Sequence, residues 1–588
     1  MRTRLSWCLA LPYLLCGLCL PTSTGSAAET QTPRLRQPIS LVLSDDGRTL
    51  FAANRMTGTI SLVDTVTRVV VGEVELATQF SDLKPVPGKS QLLATDEYKH
   101  ELLFLEVDGR NVEVKQRLSI SPYPVSVAIT ADGARCVVAS LWPRQLTFVN
   151  LPTCEDGKAR IVKVLDMPFA PRSQLLVKGN NQLIVADSFG GKLAIVDMAT
   201  QSVAHIREFP GHNIRGMGIS PNGEMLIVAH QMLNELAHTV RNDVHWGLLM
   251  SNDLRWLKLD AVLQPGTDLY EGAHMHPLGE AGSATGDPAG LTLTSKGAVV
   301  VSLGGVGEIA IGKEDDFSLY RIHVGRRPTA VIADSDSRFL YVANTFDDDI
   351  SIIDIEEREV VEYISLGEQP ELSLVQRGER LFYNANLSHD SWMSCHSCHT
   401  DGHTNGLLND NFSDASFGAP KRVLSLLGRA NTEPFAWAGT AETLTAQIHK
   451  SLTHTMQADE PPTDEQIAAL AAYVQTLAPP PSIDLVRGVQ DTEVVARGSE
   501  LFRELQCVNC HKPPVYTTPD TYDVGIDDKQ GKRKFNPPTL LGVGQRGPYF
   551  HDNRAASLDE VFLKYKHQLD RDLTADELGS LLSFLRSL

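Results

Sequence analysis

The first two-thirds of the chain repeats one short unit, and this repeat restricts the possible folds more than any other feature. The unit is an apolar strand, a turn with Asp-Gly or Asn-Gly, a strand rich in Val and Ala, another turn, and a strand ending in Asp. The turn residues Asp46, Asp132 and Asn222 are 86 and 90 residues apart, which is two periods of about 45 residues in each gap. Short strands with glycine turns at this period are typical of propeller blades.

We predict a β-propeller over residues 38–367, with seven blades that begin near residues 38, 80, 124, 170, 214, 288 and 326. Its last clear copy contains Tyr-Val-Ala-Asn at residues 341–344, and this form resembles the YVTN family of seven-bladed propellers. Blades are a scaffold, so we expect any function of this domain to lie in its loops or its central channel.

One interval, residues 230–287, breaks the period and is predicted to be an insertion. It holds five of the 18 His residues of the chain and two Trp residues. Three interpretations stay open for it: a metal site, a loop that contacts another domain or a partner, and a long insertion with ordinary surface histidines. Its histidines are His230, His238, His245, His274 and His276.

Two copies of Cys-x-x-Cys-His stand in the last third of the chain, at residues 395–399 and 507–511. In each copy the two thiols can add to the two vinyl groups of one porphyrin, and the adjacent His supplies the proximal nitrogen to iron. A zinc site would place its ligand pairs within about 20 residues of each other, whereas these pairs are 112 residues apart. We therefore predict two haem c groups, attached through Cys395, Cys398, Cys507 and Cys510, with proximal iron ligands His399 and His511.

The two motifs have similar surroundings, which indicates an internal duplication. The segment Arg-Gly-Glu-Arg-Leu-Phe at 377–382 precedes the first motif, and Arg-Gly-Ser-Glu-Leu-Phe at 497–502 precedes the second. Each half ends in a predicted amphipathic helix with a Thr cap. We predict cytochrome c domains at 369–482 and 490–588, so the fold class is multidomain: an all-β seven-bladed propeller followed by two tandem all-α cytochrome c domains.

The N-terminus predicts export. A basic start, an apolar run over residues 5–20 and Ser-Ala-Ala at 26–28 are typical of a secretory signal peptide at 1–28, and not of a membrane span. We expect the chain to reach a bacterial periplasm, where c-haem attachment takes place. The remaining cysteines, Cys136 and Cys154, are candidates for a disulfide or for two buried free thiols. The net charge of −19 argues against nucleic acid and against anionic membrane surfaces as partners.

The haem region resembles the bacterial dihaem cytochrome c peroxidase family, which includes the MauG enzymes that oxidise protein tryptophans. The resemblance covers about residues 369–588. It is carried by Cys-His-Thr-Asp-Gly at 398–402, Phe-Asn-Pro-Pro-Thr-Leu at 535–540 and Pro-Tyr-Phe-His-Asp at 548–552. It implies a dihaem peroxidase-like oxidoreductase, with calcium as a further candidate cofactor.

The resemblance also implies a distal ligand for the second haem. In the family this ligand stands fourteen residues beyond the His of the Pro-Tyr-Phe-His motif and is Met in the peroxidases and Tyr in MauG. Here the position is Tyr565. A phenolate ligand would stabilise ferric and higher oxidation states. The alternatives are His567 as the ligand and Tyr565 as an ordinary aromatic of a helix face.

By the same resemblance the first haem is the reactive one and needs an acid or base beside an open iron position. At the position directly after Leu444, family members carry Glu, and two residues before the position of Trp437 they carry Gln. Thr445 and Phe435 stand at these positions here. The candidate catalytic residues are therefore Trp437, Glu442 and Gln447, with Glu433 and His449 as further substitutes.

The coordination of the first haem separates two functions. An open haem predicts an enzyme, a periplasmic dihaem oxidoreductase that uses peroxide or oxidising equivalents on a partner or substrate docked by the propeller. A closed haem predicts a non-catalytic electron-transfer protein whose propeller binds its redox partner. The candidate closing ligands are His454, Met456 and His403. We favour the enzyme.

Overall fold

The computed structural model describes residues 33–152, 157–177, 179, 181–316, 318–412 and 416–588. The predicted signal peptide at 1–28 and Cys154 lie outside the described residues. Cys136 is a free thiol that is buried between the second and third blades. No helix in the described ranges is long and apolar enough to cross a membrane.

In the described part of the chain, seven antiparallel four-stranded sheets succeed one another, each with its strands in sequence order. They are the seven predicted blades, and each begins within two residues of its predicted start. The first three blades are β1 Pro38–Leu43, β2 Thr49–Asn54, β3 Thr59–Asp64 and β4 Val69–Glu75; β5 Phe80–Pro85, β6 Gln91–Asp96, β7 Glu101–Asp108 and β8 Asn111–Ser119; and β9 Pro124–Ile129, β10 Arg135–Ser140, β11 Gln145–Asn150 and β12 Arg160–Asp166.

The other four blades follow the same plan. They are β13 Pro171–Leu176, β14 Gln182–Asp187, β15 Lys192–Asp197 and β16 Ser202–Glu208; β17 His212–Ile219, β18 Met225–Leu233, β19 Met250–Lys258 and β20 His274–Pro277; β21 Pro288–Leu293, β22 Val299–Leu303, β23 Glu308–Gly312 and β24 Tyr320–His323; and β25 Pro328–Ala333, β26 Phe339–Asn344, β27 Asp349–Asp354 and β28 Glu359–Ser365.

The repeated Asp-Gly and Asn-Gly turns have one common geometry. In the first blade the Ser44 hydroxyl donates to the Asp46 carboxylate at 2.6 Å, and Gly47 takes a left-handed φ of 68°. Glycine enters this region at no steric cost, which is why it stands at that place in the turn. The same 2.6 Å hydrogen bond recurs in Thr130–Asp132 and Ser220–Asn222.

Neighbouring blades pack face to face, so the middle strands are apolar on both sides. In β14, Leu183 and Val185 face the third blade, whereas Ile184 and Ala186 face the fifth. Successive side chains of a strand point to opposite faces, so an unbroken apolar run buries both faces of one blade. The same arrangement produces the Val- and Ala-rich second strands of the repeat.

The ring closes between the last blade and the first, where β1 packs against β25 and β26. Asp348 joins the two ends of the propeller, because its carboxylate accepts the backbone N–H of Arg36 at 2.8 Å and that of Gln37 at 2.7 Å. Both amides are buried, so this carboxylate satisfies two donors that water does not reach.

The interval 230–287 is largely part of the fifth blade. It contributes the end of β18, all of β19 and β20, and the short helices α1 Arg241–His245 and α2 Leu259–Leu263. The prediction of an insertion over the whole interval is therefore wrong. Strands β18 and β19 have nine residues each, and the longer strands with their His and Trp side chains obscured the period.

The remainder of the chain is mainly helical and has two similar halves. In the first half α3 packs against α6, and in the second half α8 packs against α10. The helices are α3 Leu374–Phe382, α4 Cys395–Cys398, α5 Leu444–Lys450, α6 Asp464–Thr476, α7 Ile483–Val486, α8 Thr492–Glu504, α9 Leu558–Leu563 and α10 Ala575–Ser587. Two short ladders complete it: β29 Leu408–Asn409 with β30 Lys421–Arg422, and β31 Tyr522–Asp523 with β32 Lys534–Phe535.

Each Arg-Gly pair of the duplicated segment marks a helix crossing. A Cβ atom on Gly378 would lie 1.9 Å from the carbonyl oxygen of Ala469, and one on Gly498 would lie 2.0 Å from that of Ser580. Only glycine permits this close approach. The matching contacts show that the two halves have the same helix crossing.

We expect Asp348→Ala to lower the free energy of unfolding of the propeller by about 2–4 kcal/mol, because it leaves two buried N–H donors without an acceptor. Urea unfolding followed by far-ultraviolet circular dichroism measures the change. Asp336→Ala, at an exposed turn of the same blade, is the matched control and should change it by less than about 0.5 kcal/mol. Equal effects of the two variants would contradict the role given to Asp348.

Candidate haem centres against the propeller face

The first Cys-x-x-Cys-His motif forms α4, a single helical turn that lies against the propeller. Cys395 and Cys398 are three residues apart and share one face of this turn. His399 follows directly at the helix end, and its backbone N–H donates to the carbonyl of Cys395 at 2.9 Å. Burial lowers the pKa of His399 to about 4, so the imidazole is neutral, which is the form that binds a metal.

Propeller side chains hold two serines of this segment: Ser394, just before the first cysteine, and Ser397, between the two cysteines. The hydroxyls of Ser394 and Ser397 donate to the two carboxylate oxygens of Asp287 at 2.5 and 2.6 Å. His212 Nε2 lies 2.8 Å from the carbonyl oxygen of Ser397. Ser397 is fully buried. The motif is therefore held in place by the propeller as well as by its own helix.

Asp401, two residues after the motif, makes a charged contact between the two domains. Its Oδ2 accepts from Arg172 and from Arg215, each at 2.8 Å. Burial raises the pKa of Asp401, but the guanidinium groups of Arg215 and Arg172 outweigh burial and hold that pKa well below its usual range. A charged carboxylate shared by two arginines therefore joins the haem half to the propeller.

This contact lies at one end of the central channel of the propeller. The channel has a volume of about 630 Å³ and is lined by innermost strands of all seven blades. His396, inside the first motif, and Asp401 form part of its wall together with Arg55, Arg172 and Arg327. The channel therefore ends directly behind the first motif.

A loop of the fifth blade makes a second contact with the haem half. It connects β18 to β19 and contains His245, whose carbonyl accepts from the indole N–H of Trp392 at 3.1 Å. Gln457 donates to the carbonyl of Thr239 at 2.8 Å. Interval 230–287 therefore includes an interdomain loop, which is one of the interpretations that the sequence left open.

The first motif faces a cavity that brings together most of the residues predicted for it. Its wall is mainly apolar and includes both cysteines and His399. Of the predicted catalytic residues, Trp437 and Gln447 line it, and so do two of the three predicted closing ligands, His454 and Met456. Gln447 donates to the Ser451 hydroxyl at 3.2 Å, while its buried Oε1 has no hydrogen-bond partner among the described residues.

Four other predictions for this site are not supported by the structure. Glu433, Glu442 and His449 are exposed and do not line the cavity; α5 turns its other side, with Gln447, towards the cavity. His403 is wrong as a closing ligand because both of its ring nitrogens are engaged: Nδ1 lies 3.0 Å from the Ser425 hydroxyl and Nε2 lies 3.1 Å from the Gln545 carbonyl oxygen.

Three buried arginines near the cavity were not found from the sequence. Among the described residues, no Asp or Glu forms an ion pair with any of them. Burial lowers the pKa of Arg422 and of Arg429 to about 10. In both halves an arginine stands between the haem motif and a proline that an aromatic residue follows, at 434–435 and at 548–549. This recurrence is the signal in the sequence that could have revealed the three arginines. They are Arg422, Arg429 and Arg546, each at most 8% exposed.

This residue set fits a haem c. Two thiols, a neutral imidazole and an apolar wall suit the porphyrin and its iron. Buried cations without carboxylate partners are costly unless an anion joins them. The haem propionates are carboxylates of that kind, and Arg422 and Arg429 line the same cavity as His399.

The second motif forms a 3₁₀ turn at Cys507–Asn509 in the second half and is more exposed than the first. Cys510 and His511 follow this turn, and the N–H of His511 donates to the Cys507 carbonyl at 2.9 Å. Burial, with a smaller contribution from the charge of nearby His567, lowers the pKa of His511 to about 4. His511 Nδ1 lies 3.2 Å from the carbonyl oxygen of Tyr516, which leaves Nε2 for the metal.

The two candidate distal ligands of the second haem differ in their surroundings. The Tyr565 hydroxyl donates to the backbone carbonyl of Arg554 at 2.5 Å. His567 is close enough to His511 to affect its pKa, and burial lowers the pKa of His567 to about 4. Phe550 packs edge-on against both side chains. We therefore expect His567, rather than Tyr565, to complete the coordination.

Trp437 lies where the two haem halves meet. Its indole N–H donates to the Arg422 carbonyl at 2.8 Å, and its own carbonyl accepts from the Asn536 N–H at 2.8 Å. Its ring centroid is 6.2 Å from that of His551, which stacks on Phe535. One aromatic side chain thus contacts the first cavity and the second half at the same time.

Comparisons with known proteins show similarity of part of the haem region to one family. Residues 373–482 match the family model of the di-haem cytochrome c peroxidases. The chain is 24% identical to cytochrome c551 peroxidase of Nitrosomonas europaea, over 37% of this chain and 79% of that protein. It is 26% identical to the methylamine utilization protein MauG of Methylophilus methylotrophus, over 36% of this chain and 81% of that protein. Among solved structures, a chain of Kuenenia stuttgartiensis hydrazine synthase matches 56% of this chain and 99% of its own length, with TM-score 0.49 and 19% identity.

We expect His567→Ala to convert the low-spin ferric signal of the second haem to a high-spin one, because the variant removes a side chain that would hold the iron together with His511. Tyr565→Phe is the matched control and should leave the low-spin signal unchanged. Low-temperature electron paramagnetic resonance (EPR) of both variants measures this. A loss of the low-spin signal in Tyr565→Phe alone would instead identify the tyrosine as the ligand.

Proposed function

We propose that this chain, a seven-bladed propeller joined to a region similar to the dihaem cytochrome c peroxidases and MauG, is a periplasmic dihaem oxidoreductase. In this proposal it carries two haem c groups and uses peroxide or another source of oxidising equivalents at the first of them. Its substrate is a redox partner or a protein docked by the propeller. The observation that carries the proposal is the cavity beside His399, into whose wall Gln447 brings a buried amide oxygen.

The amide nitrogen of Gln447 is tied to Ser451, which fixes the side chain, and no donor in the described part of the chain reaches the buried Oε1. A buried acceptor in this state stabilises an incoming O–H group, such as that of a peroxide or of a water beside iron. An amide does not exchange protons as a carboxylate does, so Gln447 orients the oxygen substrate and solvent moves the proton.

When bound, haem iron supplies the oxidising chemistry, and the remaining roles fall to residues of the chain. His399 would hold the iron of the first haem, and the channel side of the motif is fixed by Asp287 and Asp401. Arg422 and Arg429 would bind the propionates and so orient the porphyrin in the cavity. Trp437 would conduct electrons between the halves, since it contacts both.

A non-catalytic electron-transfer protein is the second candidate function. The specific observation in its favour is that His454 and Met456 line the same cavity as His399. Met456 is buried and His454 is exposed. Either side chain would occupy the remaining coordination position of the iron, so that peroxide could not bind there. The propeller would then act only to bind a redox partner.

We expect the as-isolated ferric protein to show a high-spin EPR signal from the first haem that disappears when hydrogen peroxide is added. Gln447→Leu should slow this reaction by about tenfold, because it removes one hydrogen bond worth about 1.4 kcal/mol. Stopped-flow absorbance of the Soret band measures the rate constant. Glu442→Gln, an exposed residue on the same segment, is the control and should react at the rate of the unmodified protein. Two low-spin haems that respond to neither peroxide nor cyanide would exclude the enzyme and support the electron-transfer protein.

We expect Trp437→Phe to slow electron transfer between the two haems by about tenfold, equivalent to about 1.4 kcal/mol in the activation barrier. The variant keeps an apolar ring but loses the indole and its hydrogen bond to the Arg422 carbonyl. Redistribution of one electron after partial reduction, followed by stopped-flow absorbance, measures the rate. Trp246→Phe, in an exposed part of the propeller loop, is the control. An unchanged rate in Trp437→Phe would remove this residue from the electron path.

A further inference from the structure

A cluster of two histidines and one aspartate lies where the fifth-blade loop contacts the haem half. His245 comes from helix α1 of the propeller, whereas His389 and Asp390 precede the first haem motif. One ligand atom of each of these residues lies within 4.8 Å of the others. None of the three lines the haem cavity, so the cluster is separate from the site described above.

Both imidazoles point at the same carboxylate oxygen. His245 Nδ1 lies 2.6 Å from Asp390 Oδ2, and His389 Nε2 lies 3.5 Å from that atom. In a tetrahedral zinc site with bonds of about 2.0 Å, neighbouring ligand atoms are about 3.3 Å apart. The His389 pair already has this spacing, and His245 needs to withdraw by about 0.7 Å to admit an ion.

The cluster also has the outer hydrogen bonds that orient metal ligands. His389 Nδ1 lies 2.8 Å from Asp459 Oδ1, and this bond fixes Nε2 as the free nitrogen. A carboxylate behind a ligating imidazole is a common arrangement around zinc. Asp390 Oδ2 also accepts the backbone N–H of Gly282 at 3.1 Å, which fixes the carboxylate.

The cluster lies partly inside the contact between the two domains. His389 is 8% exposed, the Asp390 side chain is 14% exposed, and the His245 side chain is 36% exposed. The two imidazole rings stack at a centroid distance of 5.4 Å and an angle of 24°. Two nitrogens that converge on one carboxylate oxygen match the donor set of three-ligand zinc sites.

We propose that His245, His389 and Asp390 bind a zinc-class divalent cation that joins the propeller to the haem half. Two imidazoles and one carboxylate are ligands that this class of metal prefers. The ion would crosslink the loop between β18 and β19 to the segment just before Cys395. Trp392, which lies in that segment, packs in the same cluster as Met456 and Leu452 of the haem cavity wall. The ion would therefore also fix one wall of the cavity.

The experiment measures zinc binding by the full-length holoprotein, purified without a histidine tag and treated with chelator. Equilibrium dialysis against Zn²⁺, with zinc and iron determined by mass spectrometry, gives the affinity and the number of ions per chain. We expect one tightly bound zinc ion per chain. His245→Ala and Asp390→Asn should each weaken its binding by about 100-fold or more, because each removes a ligand.

His274→Ala is the matched control, because His274 belongs to the same histidine-rich interval but is not in the cluster. It should bind zinc as the unmodified protein does. Holoprotein that binds no zinc after chelation would overturn the proposal, and so would unchanged affinity in His245→Ala. The readout is metal stoichiometry, so its failure is distinct from a failure of the peroxide reaction.

Hydrogen exchange supplies a second measurement that does not depend on how the variants fold. Zinc added to the unmodified holoprotein should slow amide exchange in the loop between β18 and β19 and in the segment before Cys395. Slower exchange in both segments supports a crosslink between them. Exchange that does not change in either segment would contradict it.

Discussion

Asp401, held between Arg172 and Arg215, is the charged contact that places the first haem motif against the propeller. The three side chains are 16–28% exposed and satisfy one another at hydrogen-bond distance. Replacement of Asp401 by an uncharged residue would leave two guanidinium groups close together without their shared carboxylate, which is more costly than the loss of a surface ion pair. The position of the motif, and with it the cavity beside His399, depends on this contact together with the one between Asp287 and the hydroxyls of Ser394 and Ser397.

The same contact makes the two haem sites unequal. The first is enclosed by propeller residues on one side and by the second half on the other, with Trp437 at the boundary. The second has no propeller side chain against its motif among the contacts described, and its turn is partly open to solvent. A reaction that must exclude water is better served by the first site. Exchange of electrons with another protein is better served by the second.

The propeller could be predicted from the sequence almost in full because its turns are formed by contacts between residues close together in the chain. Ser44, Asp46 and Gly47 form one such turn through local hydrogen bonding and a left-handed glycine. The long strands of the fifth blade could not be recognised, because their length changes the period. Gln447 was one of several candidates, and only the direction in which its side chain leaves α5 separates it from His449. Contacts such as Asp287 with the Ser397 hydroxyl join residues over 100 positions apart, and no local pattern reveals them.

The first motif is closed on its propeller side and open on its cavity side. Ser397 is fully buried against Asp287 and His212, and His396 lines the channel. Cys395 and Cys398 are partly exposed and line the cavity. A porphyrin reaches both thiols from the cavity side, so the contact with the propeller sets which face of the motif stays closed to it.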